Sequence, residues 1–171
     1  MADEVILGSG KLYILEYEDT IPTDELLEVT ANNVGRIKGG ASLEYKPTEY
    51  EVVDDNGEVV KRFITKEEVT FKSGILTWNL ANLAKLSPGT LTTATGLKTL
   101  KIGSSNKSLT NHVLRFVHTK DDGNELRITM IATAGNGFVL TFAGDKETVI
   151  DAMFKAINQA DGTLVEIKEE V

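Results

Sequence analysis

From His112 to its end the chain reads as short apolar runs cut at regular intervals by acidic or glycine turns. That rhythm restricts it to a fold built mainly of strands. His112 to Thr119 is a predicted strand, Asp121-Asp122-Gly123-Asn124 a turn, and Glu125 to Ala134 the partner. In the partner Leu126, Ile128 and Met130 face one way and Arg127 and Thr129 the other. Gly135-Asn136-Gly137 turns into a further predicted strand, Phe138 to Ala143. Asp145 is then placed to cap a helix over about 145–158, its carboxylate accepting from the N–H of Glu147 or Thr148. Glu147 suits the positive end of the helix dipole. Val149, Ile150, Met153, Phe154 and Ile157 form its apolar stripe. Thr163 to Lys168 is a predicted closing strand.

The first half is also rich in Thr, Val, Ile and Gly, the composition of a pleated, half-buried surface. Lys11 to Tyr17 is a predicted first strand. Residues 18–36 mix a polar loop with an uncertain element around Leu26 and Leu27. Residues 36–53 are extended. Asp54-Asp55-Asn56-Gly57 is a hairpin turn, because Asn-Gly accepts the positive φ angles a tight turn demands. The hairpin over about 46–66 is long and highly charged. Such a pair has too little apolar surface to stand alone in water, so it lies on its own domain or projects onto a partner. Val69, Phe71 and Ser73 alternate until Gly74, which breaks the run as a bulge would. Asn79 to Leu86 is a short helix capped by Asn79 and stopped by Ser87-Pro88-Gly89. Residues 87–110 read as a mobile, Thr/Ser/Gly-rich loop with one strand at about 97–102.

At 171 residues the chain is expected to be a single domain, 1–171, with a core of its own. It has no cysteine, which excludes disulfides and thiolate chemistry. Its net charge of −8 argues against general nucleic-acid binding. No run approaches the ~18 apolar residues of a membrane span. The first residues carry acids where a signal peptide carries bases. His112 and His118 lie about 20 Å apart on one strand, too far to share a metal, and read as surface or interface polarity. Residues 103–108 lack the spacing of a phosphate loop. Gly8-Ser9-Gly10 reads as a turn. The acidic turns lack a calcium loop's ligand spacing. Trp78, between Leu76 and Leu80, reads as core. A catalytic triad needs a base positioned beside a nucleophile, and no G-x-S-x-G elbow supports one. The expectation is therefore no catalytic residue, no cofactor and no metal, and an enzyme is the least supported class.

Two segments carry a resemblance. Residues 69–80 and the block from His112 to the closing strand are similar in order and composition to the major tail tube proteins of tailed bacteriophages. The resemblance implies a two-sheet β-sandwich or barrel with one flanking helix. It implies a structural virion protein without enzymatic activity. Six copies would form a ring, and rings would stack into a tube for DNA ejection, DNA being only a non-specific passing cargo. The expected partners are the chain itself and other tail proteins (tape measure, tail terminator, baseplate or tip). The expected location is the virion tail, assembled in the bacterial cytoplasm away from any membrane. The inter-subunit contacts it implies fall on the hairpin: Glu49, Glu51, Asp54, Asp55, Asn56, Gly57, Glu58, Lys61 and Arg62. Two alternatives stay open: a tube protein of a bacterial secretion or contractile injection system, and a monomeric β-sandwich binding module.

Overall fold

A computed structural model describes residues 8–103 and 108–171. About half of them are strand: β1 (Lys11–Glu16), β2 (Ile37–Val53), β3 (Val59–Ile75), β4 (Thr90–Ala94), β5 (Leu97–Lys101), β6 (His112–Thr119), β7 (Glu125–Thr133), β8 (Ile150–Ala156) and β9 (Glu166–Glu169). Two short helices, α1 (Asp24–Leu27) and α2 (Leu80–Lys85), and one 3-10 turn (Thr30–Asn32) complete the elements. Seven strands form one antiparallel sheet in the order β1-β6-β7-β8-β3-β2. The far edge of β7 is shared, Leu126–Thr129 pairing with β9 and Ala132–Thr133 with β8. β4 and β5 form a separate two-stranded hairpin.

The large sheet curls onto its own inner face. Three strand steps separate β6 from β3, about 14 Å if the sheet were flat. Yet the rings of Phe116 on β6 and Phe71 on β3 lie 5.7 Å apart. Leu12, Ile14, Leu114 and Met130 from one wing thus share a core with Val69, Phe71, Ile75 and Phe154 from the other. Within the chain the curl stops short of a barrel, since β1 and β2 do not pair with each other.

The sequence reading needs correction over residues 138–157. The flanking helix expected over 145–158 is replaced by β8, whose residues Ile150, Ala152 and Phe154 are buried at alternate positions. Ile150 and Phe154, four apart, satisfy a helical and a strand period equally. The pairing of β8 with Thr70–Ile75 of β3 decides between them. Residues 138–143 form no strand. Phe138 and Leu140 lean on the core, while Val139 and Phe142 face outward. Trp78 is likewise not core: it is 54% exposed and meets the edge of Phe142 at 6.0 Å.

Elsewhere the expectations hold more closely. The closing strand is present as β9, and the segment after Gly89 is a complete hairpin rather than one strand in a loop. β3 runs unbroken through Gly74. The bulge lies opposite, where Gly39 and Gly40 (φ +79° and +73°) interrupt the pairing between Lys38 and Ala41. A Cβ on Gly74 would sit 2.5 Å from the Lys38 carbonyl oxygen, so glycine is what lets the bulge close over β3.

α2 begins where Asn79 Oδ1 accepts from the Ala81 N–H at 3.0 Å, and it buries Leu83. Asn79→Ala is expected to cost about 1 kcal/mol of stability in urea unfolding. A loss below a few tenths would mean that packing alone holds the helix.

Candidate functional site

β3 pairs with β8 only over Thr70–Ile75. Beyond that point, among the described residues, β2 and β3 pair only with each other and leave the body as a two-stranded arm. Eight residues from Lys46 to Val53 give it a reach of about 25 Å. The turn at its end falls where the sequence predicts, but Gly57 takes a positive φ and Asn56 does not. Asp54 Oδ1 accepts from the backbone N–H of Asn56 and of Glu58, both at 2.9 Å, and Gly57 takes φ +81°. Glu51 and Arg62 pair across the strands at 2.7 Å. Lys61 Nζ lies 4.6 Å above the Phe63 ring. Nearer the root, the Tyr45 hydroxyl donates to Glu67 at 2.7 Å, and that bond raises the phenol's pKa above its ordinary value. An open cleft of about 550 Å³ marks where the arm parts from the body, between Ile64–Thr70 and Lys155–Asn158.

All nine residues expected at the contact are exposed. Glu51 and Arg62 are joined, and Asp54, Asn56, Gly57 and Glu58 share the turn. Glu49 and Asp55 have no ion pair among the described residues. Reading the arm as polar missed half of its character. Tyr50 stands directly opposite Phe63, 60% and 45% exposed, with Val52 beside them. Ile64 and Val60 are exposed as well. A register irregularity between Thr48 and Glu49 sets which residues share a face, and no residue pattern announces it.

The outer edge of β2 is a second open surface. Among the described residues its 17-residue length pairs only with β3. Pro47 lies in this strand, and an edge is where a strand tolerates proline. The opposite edge is partly covered, since Asn33 bridges Tyr13 and the Val34 N–H donates to the Leu12 carbonyl.

The charged groups buried in the body fasten it together. Arg115, only 2% exposed, donates to Asp24 at 2.6 Å, to Glu28 at 2.7 Å and to the Thr129 hydroxyl at 2.7 Å. Arg127 donates to the same Glu28 oxygen at 2.9 Å and also holds Glu125 and Glu170. One network therefore ties α1 and the C-terminal residues to β6 and β7. The Arg115 bond holds the Asp24 carboxyl below its ordinary pKa, and Arg127 does the same for Glu170.

The histidines are buried, against the expectation of surface polarity. His118 Nδ1 lies 2.7 Å from the Ser9 carbonyl, in the turn expected at 8–10. Among the described residues His112 Nδ1 meets no partner at hydrogen-bond geometry, and burial, helped by Lys85, lowers the ring's pKa. Asp122 of the second acidic turn is occupied in accepting from the Asn124 N–H. No group of three or more potential metal ligands converges among the described residues. Most of the supposed phosphate loop, 104–107, lies outside them. No model of a known protein family matches the chain, and no curated protein matches it.

Proposed function

We propose that this chain is the subunit of a self-assembling tube of the phage-tail type, built from stacked six-membered rings around a channel for DNA. The observation that carries the reading is the combination of a 17-residue open strand edge with an arm that projects from the body. An open edge is an aggregation hazard unless a neighbour pairs with it, and ring closure supplies that neighbour. The arm buries little of its own apolar surface, so a neighbouring subunit or ring is the natural place for Tyr50 and Phe63. The two-sheet arrangement would then be completed between copies. The acidic balance suits a channel wall that repels phosphate and lets DNA slide.

Deleting residues 52–60 is expected to leave a folded monomer that cannot stack. Negative-stain microscopy of the concentrated protein, with solution mass alongside, makes the comparison. Rings or hollow tubes from the intact chain and none from the deletion are the expected result. Normal tubes from the deletion would sink the role given to the arm.

One observation favours a monomeric binding module instead: Trp78 and Phe142 form an exposed aromatic pair on the body. That reading requires an intact chain that stays monomeric at every concentration and a ligand that quenches the single tryptophan.

A further inference from the structure

Acid and base are segregated along this chain. No Asp or Glu occurs between residues 69 and 120, a span that holds seven of the 18 basic residues. Three of the seven are engaged inside the body. Lys85 donates to the Ile14 carbonyl at 2.9 Å, Arg115 holds Asp24 and Glu28, and Lys120 pairs with Glu169 at 2.5 Å. Lys98 and Lys101 on β5 are different. Both are exposed, and neither has an ion pair among the described residues. Leu97 and Ile102 beside them are 63% and 54% exposed.

The tip of the arm is the complement. Residues 49–58 carry five acids and no base. Only Glu51 among them has a cation partner in the described structure. Val53 and Val60 at the tip are exposed, as Leu97 and Ile102 are on the other surface. Each surface is a two-stranded ribbon with free strand edges.

We infer that the acidic tip of the β2–β3 arm of one copy seats on the basic β4–β5 hairpin of a second copy. The inference rests on reading the chain as self-assembling and names the surface that receives the arm. Opposite charge steers the encounter and fixes register, while the fringing valines and leucine exclude water from it. Donor and receiver are different patches of one chain, so the contact is head-to-tail. Every docked copy presents a fresh tip, and the series either closes into a ring or extends.

The chain has no cysteine, so an introduced thiol reports without background. Val53→Cys in one population and Leu97→Cys in another are mixed and oxidised. The expected result is a cross-linked pair from the mixture, well above the yield of either population alone. Raising salt from about 0.1 M to about 1 M shortens the screening length from about 10 Å to about 3 Å and should reduce that yield. Adding Lys98→Glu and Lys101→Glu to the Leu97→Cys chain should lower it by roughly tenfold or more. Asp55→Lys and Glu58→Lys in the Val53→Cys chain should restore it. All these positions are exposed, and circular dichroism of each variant checks the fold. A yield indifferent to charge reversal, or one the swap fails to restore, overturns the docking. If the reversed chains then still form rings or tubes, the docking fails while the assembly reading stands. A wild-type chain that stays monomeric at every concentration, together with a Val53→Cys and Leu97→Cys mixture that gives no cross-link, sinks both.

Discussion

Arg115→Ala is expected to destabilise the folded chain by about 3 kcal/mol, the low end of what breaking a buried ion pair costs. The low end applies because Glu28 keeps Arg127 and the Asp24 side chain is half exposed. The loss is still large. Thr129, 2% exposed, forfeits the partner of its hydroxyl, and α1 forfeits its anchor to β6. Arg115→Lys should recover little, since an ammonium cannot reproduce the planar fork that meets two carboxylates and a hydroxyl together. A shift in urea midpoint at constant slope is the readout. The pH profile supplies a second one. Asp24 and Glu170 have folded pKa values below the ordinary 3.8 and 4.5. A depressed carboxyl contributes stability that is complete above its unfolded pKa and is lost as pH falls through the folded one. The wild-type chain should therefore lose stability as pH falls through about 4, and the Arg115→Ala chain should lose less. Parallel acid profiles would show that the network does not operate in solution.

Phe71→Ala should cost about 3–5 kcal/mol, while Tyr50→Ala on the arm should change stability by no more than about 0.5 kcal/mol. Both aromatics lie on the same hairpin, so the contrast is one of environment rather than residue type. Phe71 is 1% exposed and touches Phe116 across the curl, so truncating it opens a cavity where the two wings meet. Tyr50 is 60% exposed and stands opposite Phe63. Equal losses at the two sites would mean that the arm folds back onto its own body in solution. The proposal of a free, partner-seeking arm would then fail.

What could be read directly from the residues was the chemistry of neighbours in sequence. The Asn56-Gly57 turn, the Asn79 cap and the β6–β7 hairpin were legible because each is decided within a few positions. β8 was not, because its partner Thr70–Ile75 lies some eighty positions earlier, and both periods fit Ile150 and Phe154. Trp78 and the two histidines were misplaced for a related reason. Their burial depends on which elements cover them, and periodicity gives only the face. At the candidate site the charged residues were legible as exposed, but the facing of Tyr50 and Phe63 hangs on an irregular register. The acid-free stretch was open to inspection throughout. It acquires meaning because Lys98 and Lys101 are exposed and without an ion pair among the described residues, while Arg115 and Lys120 are engaged.

The long-range pairing of the body sets the order in which parts of this chain become available in time. Lys11 pairs with Val117, 106 positions later (117 − 11), and β3 pairs with β8. Non-local sheets of this kind close in milliseconds to seconds, whereas a hairpin closes in about 1–10 μs. Synthesis widens the gap. The ~80 residues between the end of β3 and the end of β8 take on the order of 4–16 s to be made at ~5–20 residues per second. For that interval a nascent chain already carries the strands of the arm and of the β4–β5 hairpin on a body that is still open, and neither ribbon has the apolar surface to stand alone in water. If the arm docks as proposed, copies growing side by side on one message hold both contact segments before either body is closed.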